Sequence, residues 1–361
     1  MKTKILFILP SFVGGGAERV VLQLASGIDP HIFSPSIAVF KSSGPLKGIV
    51  PDYIPLVDLK RDRLRTVLPS LIVAIRRIKP SIVVSSIGYV NIALLAVRLL
   101  MPRGTRIIIR EANMPTLSLP HGPQPKLMHW LYRRYYPKAD AVICSSNMML
   151  GEMAGYINVH HTRLHRLPNP INQNLLRSLA DSSEQLTRKA GAVQFISCGR
   201  LVRQKGFDRL IELFSELPDN MFLTILGDGN EFPELLKKIH HLDLSSRINI
   251  RGFVDNPWAE MIKADAFIMS SRWEGMPNSV LESLACGVPV IATPESGAIS
   301  EISRAAPTGA VQIIPWGEQF HQAILEVEPN QKVGLRKSLL PSDYDLGRVV
   351  SQFENVLRML I

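Results

Sequence analysis

The chain has 361 residues, 46% of them hydrophobic and 20% charged, with a net charge of +10. That length exceeds what one hydrophobic core usually fills, so two domains are expected, and the balanced composition excludes a disordered or fibrous chain. Three scattered cysteines, Cys144, Cys198 and Cys286, fit neither a disulfide framework nor a zinc site and point to a reducing compartment.

The N-terminal "KILFIL" (4–9) reads as a buried strand. Lys2 and Lys4 before an apolar run also suit a signal peptide, but Pro10 and a glycine turn cut that run short, so a first strand is the better reading. Gly14, Gly15 and Gly16 form the turn, and a helix follows from Ala17 to about Ser26. Its free amides and dipole could face an anion, although the spacing is neither GxGxxG nor a phosphate-binding GxxxxGK[ST] loop. A plain tight turn explains the same residues.

"SPSIAVF" (34–40), "SIVVSS" (81–86), "TRIIIR" (105–110) and "DAVICSS" (140–146) read as further strands separated by helices. Continuous apolar strands alternating with helices predict a parallel sheet covered on both faces. The longest apolar stretch, "IALLAVRLL" (92–100), is interrupted by Arg98 and falls short of a membrane span.

Charge is unevenly spread. Residues 57–140 hold fifteen Lys/Arg against four Asp/Glu, or +11, while residues 1–56 carry +2 and the remainder −3. Cations there are mixed with apolar and aromatic groups, as in "PKLMHWLYRRYYPKAD", which suits a surface meeting anionic lipid headgroups. An ordinary solvated surface stays open. Nucleic acid is disfavoured because no zinc spacing or aromatic RNA-binding run accompanies the charge.

At "RLPNPIN" (166–172) the pattern breaks, and the polar "SLADSSEQLTRKAG" follows. A second set of strands then begins: "VQFISCGR" (193–200), "MFLTILGDG" (221–229), "INIRGFV" (248–254), "DAFIMSS" (265–271) and "VPVIAT" (288–293). This predicts an α/β protein of two Rossmann-like, doubly wound domains. The expected layout is 1–168, a linker at 169–191, a second domain at 192–340, and a final helix at 341–361 that returns to the first. Ligands of such folds bind at the carboxyl ends of the strands, in a crevice expected between the halves.

Several residues in the second half could carry chemistry. Arg200 and Lys205 in "CGRLVRQKGFDRLI" could neutralise a diphosphate, or be two exposed loop cations. In "RWEGMPNSVLESLACGVPVIAT", Glu274 precedes a Gly-Pro turn and Glu282 lies about a turn inside the helix that turn opens. Ionised carboxylates only accept hydrogen bonds, so their natural partners are hydroxyls such as those of sugars; a solvated helix start is the bland alternative.

The run "EGMPNSVLE" followed by "SLACGVPVIAT" resembles the E-x7-E signature of retaining glycosyltransferases of family 4, which have the GT-B fold. "GRLVRQKGFDRLI", "ILGDGNE", "LPNPIN" and "GGGAERV" are similar to other recurrent segments of that family, in the same order, over roughly residues 4–300. The resemblance implies that Arg200 and Lys205 bind the donor diphosphate and Glu274 the hydroxyls of the transferred sugar. Amides of Gly275, Met276, Asn278 and Ser279 would meet sugar and phosphates, and Glu282 the ribose. Gly15 and Gly16 would let the N-terminal loop approach donor phosphate and acceptor. Gly227 lies at a second glycine-bearing strand end, and Gly252 and Phe253 would lie beside the base.

Many relatives have a histidine in an E-H-N segment where this chain has "EAN", with Ala112 in the histidine's place. Glu111 or Asn113 could compensate, and His121 is near in sequence. The only Asp-x-Asp, "DYD" (343–345), is read through Asp343 as a helix N-cap, and no catalytic metal is expected.

The expected activity is hexosyl transfer from a nucleoside-diphosphate sugar, UDP-linked by preference and used as substrate, with no cofactor. The expected acceptor is a lipid-linked glycan or a lipopolysaccharide, capsule or O-antigen precursor. The enzyme would work in the cytoplasm at the inner face of the membrane, held to the anionic leaflet by residues 57–140. Two alternatives remain open: another sugar-nucleotide enzyme of two-Rossmann architecture, an epimerase or hydrolase, and a non-catalytic basic membrane-surface binder.

Overall fold

Strand β1 (Thr3–Leu9) lies between β2 (Phe33–Val39) and β4 (Ile82–Ser85), all parallel. The computed structural model that contains it describes residues 2–13, 15–61, 63–122, 124–181, 191–330 and 334–361. With β3 (Leu56–Asp58), β5 (Arg106–Glu111), β6 (Ala141–Cys144) and β7 (Leu164–Arg166), they form a seven-stranded sheet in the order β3-β2-β1-β4-β5-β6-β7. Side chains alternate across a strand, so Ile5, Phe7 and Leu9 enter one core layer while Leu6 and Ile8 enter the other. Burial on both faces is why β1 reads as an unbroken apolar run.

The second sheet comprises β8 (Val193–Cys198), β9 (Met221–Leu226), β10 (Ile248–Ile250), β11 (Ala266–Met269), β12 (Val290–Ala292) and β13 (Val311–Ile313). Its order is β10-β9-β8-β11-β12-β13, again with parallel pairing. The order reverses between β8 and β11, the switch point at which the loops leaving two adjacent strands diverge and leave room for a ligand.

The chain divides into one unit of Met1–Pro170 with Leu346–Ile361, and a second of Ile171–Asp345. The final helix, Leu346–Met359, buries Val349, Val350, Phe353, Val356 and Leu357 in the first unit's core. Phe353 packs on Phe7 with ring centroids 6.2 Å apart. Gly27 makes the close approach possible, since a Cβ there would lie 2.6 Å from Val350 Cγ2.

Four expectations need correction. The boundary lies at 170/171, and the proposed linker is in part a helix, Gln173–Asp181, belonging to the second unit. It packs there because Leu176 and Ala180 are buried and Arg177 Nη1 donates to Ala285 O at 2.8 Å and Arg336 O at 2.9 Å. Residues 182–190 of that linker lie outside the described residues, as does Gly14 of the N-terminal turn. The final helix starts at Leu346, and Asp343 is no N-cap: it sits inside the short turn Ser342–Tyr344, which Pro341 precedes. The strands β3, β7 and β13 escaped notice because "LVD", "LHR" and "VQI" are three-residue edge strands without an apolar run.

Phe353→Ala removes a fully buried ring from this core and is expected to cost about 3–5 kcal/mol. Urea unfolding of the full chain, monitored through the first unit, checks it.

Candidate active site

The loops that follow β8 and β11 meet at the second unit's switch point. Past β8 the chain makes the turn Arg203–Lys205, reaches Gly206 at φ +67°, and enters the helix Phe207–Phe214. Only glycine fits at 206: the conformation is left-handed, and a Cβ would lie 2.1 Å from Ser270 O. Ser270 Oγ donates to Lys205 O at 3.1 Å, and Arg209 Nη2 donates to Ser270 O at 2.6 Å and Ser271 O at 3.0 Å. Arg272 closes the junction with a bidentate pair to Asp208, 2.7 Å for each bond.

This junction delivers Lys205 to Glu274. Lys205 Nζ donates to Glu274 Oε1 at 2.5 Å, and Ser271 Oγ donates to the same oxygen at 2.9 Å. Glu274 is 6% exposed and Ser271 1%. Thr293 Oγ1 donates to Ser271 O at 2.9 Å, fixing the backbone that carries the serine. The carboxylate is therefore held by two donors that converge on one of its oxygens.

Glycines flatten the surrounding loops. A Cβ at Gly227 would meet Gly199 O at 1.9 Å, and one at Gly229 would meet Leu201 O at 2.3 Å. The loop leaving β9 thus lies directly on the loop leaving β8. Gly227 N donates to Gly252 O at 2.8 Å, bringing in the loop after β10, where Phe253 is 52% exposed. Arg200 is exposed and has no ion-pair partner among the described residues.

The helix Asn278–Ala285 begins at Pro277 with no side-chain cap. Gly275 and Met276 are buried just before it, Asn278 and Ser279 are half-buried in its first turn, and Glu282 is half-buried one turn further in. Gly275 O accepts from Ala298 N at 2.9 Å, which anchors the approach to the helix. Burial, and secondarily Glu282, push the Cys286 thiol up to about 12, so this cysteine is an inert packing group. The structure thus brings Lys205, Glu274 and the helix start together. The Arg272–Asp208 and Arg209 bonds that support them were not foreseen, because no local pattern signals partners some sixty residues apart.

In the first unit, Gly15 caps the helix Gly16–Gly27 without a side-chain hydrogen bond. Ala112 and Asn113 are half-buried in the loop after β5, and His121 is exposed. Glu111, a candidate replacement for the histidine absent at Ala112, turns inward instead. Its Oε2 accepts from Tyr136 Oη at 2.5 Å and its Oε1 from Ala112 N at 3.0 Å. Burial raises its pKa against the opposing effect of these bonds. Beside it Arg110, 2% exposed, donates to Asn169 Oδ1, and burial pulls its guanidinium down to about 10, so it stays charged at neutral pH.

Two parallel doubly wound sheets are the architecture of the GT-B fold, and solved structures of that fold superpose on the chain. Anabaena HepE in complex with UDP and glucose matches at TM-score 0.78 and 18% identity, covering 99% of this chain and 100% of that one. Sucrose-phosphate synthase from Thermosynechococcus elongatus matches at TM-score 0.79 and 14% identity, covering 99% of both chains. The Glycosyltransferase Family 4 model matches residues 14–175, and the Glycosyl transferases group 1 model matches residues 180–339. The chain belongs to the family 4 type of glycosyltransferases.

Among curated relatives, the Campylobacter jejuni N-acetylgalactosamine-N,N'-diacetylbacillosaminyl-diphospho-undecaprenol 4-alpha-N-acetylgalactosaminyltransferase is 29% identical over 55% of this chain and 53% of its own length. The Rhizobium meliloti lipopolysaccharide core biosynthesis glycosyltransferase LpsE is 34% identical over 44% of this chain and 46% of its own. The chain spans about half the length of the curated relatives it matches.

Ser271→Ala removes a hydrogen bond to a buried carboxylate and is expected to lower second-unit stability by about 1.5–3 kcal/mol in denaturant unfolding. Glu111 has a folded pKa above its unfolded value, so the folded state holds the proton more tightly and its contribution to stability falls as pH rises from about 4.3. Glu111→Gln is expected to flatten that decline, read as unfolding midpoint against pH.

Proposed function

We propose that this chain is a retaining glycosyltransferase that moves a hexosyl group from a UDP-sugar to a lipid-linked glycan or a lipopolysaccharide, capsule or O-antigen precursor. The observation that carries the reading is the Lys205–Glu274–Ser271 cluster at the start of the helix Asn278–Ala285, at a sheet switch point. Support for the donor comes from the neighbour that holds UDP and glucose, and support for the acceptor from relatives named for undecaprenol-linked and lipopolysaccharide substrates.

The nucleoside diphosphate leaves as an anion whose negative charge grows as its bond to the sugar's anomeric carbon breaks, so donors placed for that charge lower the barrier. Arg200 and Lys205 supply cations, and amides at Gly275, Met276, Asn278 and Ser279 supply the positive end of a helix dipole. Glu274 accepts from hydroxyls of the transferred sugar. Glu282 takes the ribose, and Gly227, Gly252 and Phe253 border the base.

The acceptor oxygen attacks on the face from which the diphosphate departs, and the departing phosphate oxygen takes the acceptor's proton. That step needs no side-chain base, which fits Ala112 and an inward-turned Glu111. Cations and amides already meet the diphosphate charge, so no metal is assigned. Acceptor recognition is assigned to the first unit, with Gly15 and Gly16 at its helix start, and the enzyme works in the cytoplasm on the inner face of the membrane.

A panel of UDP- and GDP-sugars tests this by thermal stabilisation and release of nucleoside diphosphate. A UDP-sugar is expected to raise the melting temperature, and Lys205→Ala to lower kcat by about 10²–10³. Glu274→Gln should keep UDP binding but lose transfer, and the glycosidic product should retain the donor's anomeric configuration by NMR. A panel in which no nucleotide sugar stabilises the parent sinks the reading.

A further inference from the structure

Six of the fifteen cations of residues 57–140, Arg65, Arg76, Arg77, Lys126, Arg133 and Arg134, lie on α-helices of the first unit. The helices Leu64–Ile78, Gly88–Ala96 and Pro125–Tyr135 follow β3, β4 and β5, and each connection steps the same way across the sheet. Right-handed crossovers therefore put all three on one face, and Leu71, Leu94 and Tyr132 share one core layer there. These helices run back along the strands, so their last turns gather at the strands' amino ends. Those turns carry Arg76 and Arg77, then Arg133 and Arg134, with Arg98 in the turn after the middle helix.

Some of these cations are committed internally. Arg98 and Arg106 share Asp140, Arg110 is buried, and Arg76 Nε donates to Leu100 O at 2.8 Å. Others form no ion pair among the described residues: Lys126, Arg133 and Arg134 are exposed on one face of Pro125–Tyr135, and Arg134 rests over the Tyr135 ring, 5.8 Å from its centroid. Between them on that face stand Trp130, 57% exposed, and Leu127, 47% exposed. The opposite face is the packed one, with Met128, Leu131, Tyr132 and Tyr135 on the core. Nearby, Leu99 is 96% exposed in the Arg98–Leu100 turn, which Arg98 ties to Lys138 O and Asp140. None of the three helices contains an acidic residue.

Cations in a last turn also complement the helix dipole, which accounts for Arg76, Arg77, Arg133 and Arg134 by themselves. It does not account for an indole and two leucines left in water among them. An exposed tryptophan flanked by unpaired lysine and arginine suits the boundary between lipid headgroups and acyl chains. No helix among the described residues is long and apolar enough to cross a membrane, so any attachment by these helices lies on the surface.

We propose that the outer face of Pro125–Tyr135, with Leu99 beside it, docks on an anionic lipid bilayer. Trp130 and Leu127 enter the headgroup boundary, and Lys126, Arg133 and Arg134 meet lipid phosphates. The proposal rests on the reading of a lipid-borne acceptor and names the residues that bring the enzyme to it.

Flotation of the 361-residue chain with phosphatidylcholine vesicles, with and without phosphatidylglycerol, tests the surface. The parent is expected to float only with the anionic vesicles, and less so in high salt. The triple variant Lys126→Glu, Arg133→Glu, Arg134→Glu should lose about 100-fold in binding, at roughly fivefold or more per cation. Trp130→Ala should weaken binding even at low salt, while Lys237→Glu with Lys238→Glu in the second unit should leave it unchanged. All of these positions are partly or fully solvent-exposed, and parent-like melting temperatures confirm that the variants fold.

Equal flotation of parent, triple variant and Trp130→Ala overturns the proposal. So does binding to heparin as tight as to anionic vesicles and indifferent to Trp130, which would mark a general polyanion surface. UDP-sugar stabilisation without vesicles separates the two readings. A parent that binds donor but not vesicles sinks the surface alone; one that binds vesicles but no nucleotide sugar sinks the transfer reaction alone.

Discussion

A lysine ammonium and a glutamate carboxylate 2.5 Å apart join two loops whose strands are neighbours in the sheet but some seventy residues apart in sequence. Both groups are mostly removed from water, and a charge left there without its partner would cost about 3–5 kcal/mol. The site therefore depends on the junction that brings them together. Gly206 permits it by having no Cβ, Arg209 and Ser270 stitch its backbones, and Arg272 with Asp208 holds its outer edge. Ser271 then adds a second donor to the oxygen of Glu274 that Lys205 holds.

The first unit places its buried polar groups at the same end of its own sheet, but uses them differently. Glu111, Tyr136, Asn91 and Arg110 form a connected hydrogen-bonded group at the carboxyl end of β5, with Asn169 at its margin. Where many relatives present a histidine, this chain presents a small alanine backed by a carboxylate that already has partners. The Glu111 carboxyl is thereby engaged inside the unit, by Tyr136 and by the backbone of Ala112.

Much of this was legible in the residues themselves. The strands buried on both faces announced themselves as apolar runs, and the short edge strands β3, β7 and β13 did not, because an edge needs no such run. The helix start at Pro277 and Asn278 followed from local turn chemistry, which put Glu282 one turn inside. The helix Gln173–Asp181 looked like a linker because its polar face dominates, and only packing through Leu176, Ala180 and Arg177 makes it part of the second unit.

By itself, the sequence determined the class of fold and the order of the motifs, because these depend on periodicity and on neighbours a few residues away. Only the tertiary structure decided that Lys205 and Glu274 are partners, that Glu111 faces inward, and that the helices carrying Arg76, Arg77, Arg133 and Arg134 lie on one face of the first sheet. Each of those facts depends on strand order and crossover hand, which bring together residues that share no local pattern.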